Sequence, residues 1–138
     1  MSKSFDLAST YVNLRPDDSA ATIKISPRFW ATIDKRTDLD DGRLMGTTPQ
    51  KKDWPHWERH PAGDEILILL SGELVLVLEA ERRGAARGSG RRTRRVALEA
   101  GQTFVVPQGV WHRAEVKKPG TLLFITPGAG TEHRPVSP

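Results

Sequence analysis

The feature of this sequence that most restricts its fold is a pair of apolar segments joined by two small residues. Residues 65–70 are EILILL and residues 73–80 are ELVLVLEA, with Ser71 and Gly72 between them. Apolar runs of this length, rich in Ile, Val and Leu and separated by a glycine-containing turn, are typical of a β-hairpin with both strands largely buried. The sequence therefore predicts a buried hairpin at the centre of the chain.

The rest of the chain shows further short strands and little helix. Residues 21–26 (ATIKIS) alternate in polarity, and residues 94–116 and 120–128 contain apolar runs interrupted by glycine and proline. Residues 28–37 fit either a helical turn or a strand. Many short strands with Gly/Pro turns favour an all-β sandwich or barrel, and 138 residues suit one domain.

The polarity pattern also predicts how the domain is bounded. We expect an N-terminal arm over residues 1–20, a single barrel over 21–128 and an irregular C-terminal tail over 129–138. Residues 82–95 (RRGAARGSGRRTRR) carry seven arginines and no acid, so without them the net charge changes from +4 to −3. We interpret this segment as a solvated hairpin loop; the alternative is an arm that contacts phosphates. It contains no aromatic residue to stack on bases, so a nucleic-acid partner is not expected.

Composition indicates a cytoplasmic protein. The chain has no cysteine, its first residues lack the apolar stretch of a secretory signal, and its longest apolar segment has only five residues. A membrane-spanning helix needs about 20 apolar residues, so no membrane partner is expected.

One candidate half of a metal site lies in residues 54–65, WPHWERHPAGDE. If residues 54–60 are extended, Trp54, His56, Glu58 and His60 share one face, because side chains alternate along a strand. Residues two apart on a strand are separated by about 6.6 Å, so Glu58 and His60 can converge on one ion. His56 and His60 can do so only if the strand bends strongly. Trp54 is then either a pocket residue or a core residue.

The second half follows forty residues later, in residues 101–112 (GQTFVVPQGVWH). With both halves present, the sequence resembles the cupins, whose first motif is G-x5-H-x-H-x3,4-E-x6-G and whose second is G-x5-P-x-G-x2-H-x3-N. The chain matches the first motif at His60, Glu65 and Gly72, and the second from Gly101 to His112. The resemblance covers about residues 50–125 and implies a double-stranded β-helix (jelly-roll) barrel. Three motif positions differ: Lys52 replaces the first glycine, Glu58 the first histidine and Val116 the final asparagine.

The resemblance implies that one divalent ion is surrounded by Glu58, His60, Glu65 and His112. Two imidazoles and two carboxylates suit a transition metal such as Mn, Fe, Ni or Zn, and two carboxylates balance its charge. In the rival arrangement the strand bends and His56 replaces Glu58. His133, in the tail, is expected to be solvated.

Two functions are compatible with such a site. The first is a metal-dependent enzyme acting on a small organic molecule, with isomerase, lyase or dioxygenase chemistry. The alternative is a non-catalytic sensor of a metal or small ligand. The sequence alone does not decide whether the protein is an enzyme.

The apolar run 65–70 also bears on assembly. Leu67 and Leu69 would face inward, which leaves Ile66, Ile68 and Leu70 on the outer face. Water-exposed barrel walls are normally polar. Either the N-terminal segment or a second subunit must cover this face, and we expect a homodimer.

Overall fold

The computed structural model describes residues 3–81 and 91–137, and their regular structure is almost entirely β-strand. Within these ranges no helix is long and apolar enough to cross a membrane. The elements of the described chain, in order, are β1 (Thr10–Leu14), β2 (Ala20–Lys24), two 3₁₀ helices (Trp30–Lys35 and Thr37–Leu39), β3 (Arg43–Gln50), β4 (His56–Arg59), β5 (Glu65–Leu69), β6 (Glu73–Glu81), β7 (Arg91–Glu99), β8 (Thr103–Val106), β9 (His112–Lys118), β10 (Gly120–Thr126) and β11 (Glu132–Pro135).

The strands form two antiparallel sheets that pack face to face as a jelly-roll barrel, which confirms the predicted fold class. One sheet has the order β2-β1-β3-β10-β5-β8 and the other β11-β4-β9-β6-β7. Their inner faces supply one continuous apolar core, because alternate residues of each strand point between the sheets. The core includes Leu67, Leu69, Leu122 and Phe124 from the first sheet and Leu74, Leu76, Leu78 and Ala114 from the second.

The predicted central hairpin is wrong, although both of its strands exist. β5 pairs with β8 and β10, whereas β6 pairs with β7 and β9 in the opposite sheet. Ser71 and Gly72 form a corner between the sheets, held by backbone hydrogen bonds with Thr121. Gly72 has a φ of +87°, and a side chain there would approach the Lys118 carbonyl oxygen to 2.6 Å. The corner is therefore closed by β10 and not by a β5–β6 ladder.

The chain termini also contribute more structure than the sequence indicated. Residues 10–14 of the expected arm are strand β1, and the Tyr11 ring packs over Gly46 and edge-on against Phe29 and Phe124. Residues 132–135 of the expected irregular tail are strand β11, which pairs with β4.

The two remaining segment predictions have different outcomes. Of the arginine-rich segment 82–95, residues 91–95 belong to β7, and residues 82–90 lie outside the described chain. Segment 28–37, for which the sequence left helix and strand open, contains the first 3₁₀ helix.

Candidate metal centre

Four side chains predicted as ligands converge between the two sheets. Glu58 lies on β4, His60 is the first residue after β4, Glu65 begins β5 and His112 begins β9. One ligand-type atom of each lies within 4.8 Å of the others. The two motif halves, separated by forty residues of sequence, therefore meet at one place in the barrel.

Two loops bring these halves together. The Gly109 amide donates to the His60 carbonyl at 3.1 Å, and Gly109 has a φ of +74° that favours glycine. Next to it, the Gln108 amide donates to Asp64 Oδ1 at 2.8 Å, and the Gln108 side-chain amide donates to the Pro61 carbonyl at 2.6 Å. The Pro-x-Gly turn of the second motif is thus tied to the loop that carries the ligands of the first.

Both imidazoles present Nε2 to the two carboxylates. His112 Nε2 lies 2.9 Å from Glu65 Oε1 and 3.5 Å from Glu58 Oε1. His60 Nε2 lies 3.2 Å from Glu65 Oε2 and 3.3 Å from Glu58 Oε1. The four groups therefore share a single central point rather than forming two separate ion pairs.

The opposite ring nitrogens have partners that orient the rings. His112 Nδ1 lies 3.0 Å from the Val110 carbonyl, and His60 Nδ1 lies 2.9 Å from Thr131 Oγ1. A ring that donates from Nδ1 carries its free lone pair on Nε2, which is the form a metal-binding histidine requires. The Thr126 hydroxyl likewise donates to Glu65 Oε2.

Sequence reasoning missed both of these threonines. Thr126 ends β10 and has the same parity as the buried Leu122 and Phe124, so side-chain alternation turns it inward. Thr131 and His133 share a face in the same way. Alternation along residues 131–134 (TEHR) would have indicated this shared face, but the tail was not expected to form a strand.

Burial supports a bound cation at this point. The His60, Glu65 and His112 side chains are almost completely buried, and His60 Nε2 makes no well-directed hydrogen bond among the described residues, although two carboxylate oxygens lie 3.2 Å and 3.3 Å away. Buried ionisable groups are costly unless they are paired or coordinate a metal. Two nitrogen and two oxygen donors also form a set that divalent transition metals bind.

The electrostatics of the cluster favour charged forms of all four groups. Burial lowers the pKa of both imidazoles, but their contacts with the two carboxylates outweigh it and raise the pKa of His60 to about 9 and that of His112 to about 10. Burial raises the pKa of Glu58, yet contacts with three histidines, the largest from His112, place it well below its ordinary value. Without an ion the cluster is thus an electrically neutral set of two imidazolium groups and two carboxylates.

The cluster meets solvent through Glu58. Its side chain is 23% exposed, while the His112 side chain is fully buried. His133 is more than half exposed but its Nε2 lies 3.5 Å from Glu58 Oε2, and this contact raises the pKa of His133. His133 was expected to be merely solvated; strand β11 places it opposite Glu58 instead.

His56 and Trp54 lie beside the cluster. His56 is exposed, with its ring centre 6.5 Å from that of His133, and it stays outside the group of converging ligands. The Trp54 ring is half-buried against the core, 6.1 Å from the His112 ring, and its Nε1 donates to Gln50 Oε1 at 2.7 Å.

Comparison with known proteins agrees with this fold. The Cupin domain family matches residues 43–126, more than half of the chain, and the chain belongs to this family. Both cupin motif regions lie inside the matched segment.

Three solved structures are similar to this chain at low sequence identity. An oxalate oxidase solved in complex with glycolate has a TM-score of 0.50 and 21% identity, over 65% of this chain and 45% of that chain. A hydroquinone 1,2-dioxygenase solved with Cd²⁺ and 4-hydroxybenzonitrile has a TM-score of 0.48 and 23% identity, over 61% of this chain and 56% of that chain. A cupin-2 domain protein from Shewanella frigidimarina has a TM-score of 0.46 and 24% identity, over 62% of this chain and 70% of that chain.

The chain thus spans about half the length of the two enzymes to which it is similar. No curated protein matches it.

Proposed function

We propose that this protein binds one divalent transition metal, Mn, Fe, Ni or Zn, through Glu58, His60, Glu65 and His112, and uses it on a small organic molecule. The observation that carries the proposal is the convergence of four donor side chains within 4.8 Å in a buried part of a cupin barrel. Purely structural ion pairing explains the donor set less well, because the four side chains point to one central position instead of forming two separate pairs.

The asymmetric exposure of the ligands supports catalysis rather than a closed sensing site. Three ligands are almost fully buried, while the fourth, Glu58, borders solvent. A structural or sensing site is typically closed, whereas a catalytic site keeps access for a small molecule. The side of Glu58 is therefore the entrance that we propose for substrate.

A bound ion would supply Lewis-acid polarisation of a substrate oxygen, or oxygen chemistry if the metal is iron. The protein side chains divide the remaining work. His60, Glu65 and His112 hold fixed positions through their buried contacts. Glu58, the ligand nearest to solvent, is the group placed to accept or return a proton at a carboxylate oxygen. Such a combination would suit isomerase, lyase or dioxygenase chemistry.

The test is a metal analysis of purified protein after incubation with Mn²⁺, Fe²⁺, Ni²⁺ and Zn²⁺ in turn. We expect one ion per chain in the wild type and none in His60→Ala or His112→Ala, with the exposed His56→Ala as the matched control that keeps the ion. Bound ion at a thousandfold excess over its dissociation constant raises the free energy of unfolding by about 4 kcal/mol. Wild-type protein that stays metal-free with all four ions would refute the proposal.

A second measurement separates the enzyme from the sensor. Water-proton relaxation of the Mn²⁺-loaded protein reports whether water exchanges at the ion. Fast exchange, slowed by added small carboxylic acids such as glycolate, supports a catalytic site open to substrate. A site without exchangeable water indicates the non-catalytic sensor instead.

A further inference from the structure

The C-terminal strand lies across the solvent side of the metal centre, outside the segment matched by the cupin family. The match ends at residue 126, while β11 spans Glu132–Pro135. We propose that this strand and the residue before it are a working part of the site, in which Thr131 and His133 are positioning residues for His60 and Glu58. The inference deepens the proposed function and depends on it, because it concerns the geometry of the same four ligands.

Thr131 acts on His60. Its Oγ1 lies 2.9 Å from His60 Nδ1, and the threonine is half-buried, so the contact is shielded from competing water. When His60 offers the Nε2 lone pair to an ion, Nδ1 carries the hydrogen and donates it to Thr131 Oγ1. The threonine therefore selects both the ring orientation and the tautomer that a ligand needs.

His133 acts on Glu58. Across the β4–β11 ladder, His133 is the register partner of Glu58, and its Nε2 lies 3.5 Å from Oε2. The other oxygen, Oε1, lies 3.3 Å from His60 Nε2. Glu58 is the only partly exposed ligand of the four, so it has the most freedom to rotate into water. His133 holds one of its oxygens at the rim, which keeps the other directed into the cluster.

An arginine–tryptophan stack on the outer face fastens the strand in this register. The Arg134 guanidinium lies 5.2 Å from the Trp57 ring centre and 4.5 Å from that of Trp111, and it also pairs with Glu79. Arg59 covers the same Trp111 ring at 4.8 Å. Stacks of this kind stabilise by attraction between the cation and the ring face.

The residues of the stack are sequence neighbours of the metal-centre residues, and the two sets point to opposite faces of the sheet. Trp57 precedes Glu58, Trp111 precedes His112 and Arg134 follows His133. Since side chains alternate, a slip of one residue would place Glu132 or Arg134 opposite Glu58 and turn His133 outward. The outer stack therefore determines that His133, and no neighbour, faces the metal centre.

The experiment compares paired variants by Zn²⁺ titration against a competing chelator. Thr131→Val and His133→Ala remove the two contacts, while Thr131→Ser and His133→Gln keep a hydroxyl and a side-chain N–H. The controls are Thr103→Val, at an exposed position of β8, and His56→Ala. Loss of such outer contacts typically weakens metal affinity by about 10–100-fold. We expect this loss of affinity in Thr131→Val and His133→Ala. Thr131→Ser, His133→Gln and the two controls should bind Zn²⁺ with near-wild-type affinity. All variants should have similar melting temperatures without metal.

A second readout needs no metal. In the metal-free protein, ¹⁵N and ¹³C NMR shifts of the His60 ring and the Glu58 carboxylate should move in Thr131→Val and His133→Ala respectively, and not in the controls. If wild type binds Zn²⁺ and the first pair binds equally well, the positioning roles are refuted while the metal site stands. If wild type binds no Zn²⁺, the same titration is made with Mn²⁺, Fe²⁺ and Ni²⁺. The proposed function fails only if none of the four ions binds, and unmoved NMR shifts would then refute the contacts as well.

Discussion

Glu58 is the residue at which this chain differs most consequentially from the cupin motif. It occupies the position of the first motif histidine, and its Oε1 lies 3.3 Å and 3.5 Å from the two histidine Nε2 atoms. His56, the rival ligand, is exposed and lies beyond the converging group. The backbone of β4 therefore favours a two-histidine, two-carboxylate centre over a three-histidine one.

Substitutions at these two positions test that preference. We expect Glu58→Ala to weaken metal binding by at least tenfold, because a ligand is lost, and His56→Ala to leave it unchanged. Glu58→His should retain the metal, because it restores the motif histidine at the same register. Metal content after dialysis against a graded chelator series measures all three. Loss of metal in His56→Ala together with retention in Glu58→Ala would mean that β4 bends when the metal binds and that His56 replaces Glu58 as a ligand.

The raised pKa values of the two histidines predict a steep pH dependence of metal uptake. At neutral pH both imidazoles are protonated in the metal-free protein, because their pKa values are about 9 and about 10. A divalent ion must displace both protons, so the apparent affinity rises with pH, by about a hundredfold per unit between about pH 6 and about pH 8. Calorimetry in buffers of different ionisation enthalpy should count about two protons released per ion near pH 7. A count near zero would show that the histidines are neutral before binding.

At the scale of the elements, the hairpin of β6 and β7 is the feature with the clearest test. Each of the nine residues of β6 pairs with a residue of β7, and Leu76 and Leu98 lie in the core. The arginine-rich residues that connect the strands contain no apolar side chain larger than alanine, so they can bury little apolar surface.

We therefore expect that replacing residues 84–89 with a short Asn-Gly turn leaves the melting temperature and the metal content near wild type. A variant that keeps the length but replaces Arg82, Arg83 and Arg87 with serine separates the effect of charge from that of length. Thermal unfolding followed by circular dichroism measures both. A drop of several degrees in the shortened variant alone would show that this segment packs against the barrel.

At the scale of the whole molecule, the outer face of the six-stranded sheet remains apolar. Ile66 and Ile68 are half-buried, and Leu70 and Val105 are each 50% exposed. The N-terminal segment reaches this sheet at β3, where the Thr47 amide donates to the Leu7 carbonyl at 3.4 Å, but it leaves Leu70 and Val105 uncovered. Of the two covers that the sequence allows, the second subunit stays our prediction for this end of the sheet.

We expect a homodimer, with a mass in solution twice the 15.3 kDa of one chain. Val105→Glu should shift the protein toward monomer, because a charge would be buried at the interface, whereas Lys24→Glu, at an exposed position of β2, should not. Light scattering after size exclusion gives the masses. A wild-type mass of one chain at high micromolar concentration would contradict the homodimer.

The sequence by itself determined the all-β class and most strands of the barrel, and its resemblance to the cupin motifs indicated the four candidate ligands. It could do so because side-chain alternation and motif spacing are local properties that hold whatever the strands pair with. Tertiary structure alone decided the pairing: Ser71 and Gly72 join two sheets, and the residues expected to form an arm and a tail contain β1 and β11. Pairing depends on backbone hydrogen bonds between distant segments, which no local pattern encodes. For the same reason, only the folded chain brings Thr131 and His133 against His60 and Glu58.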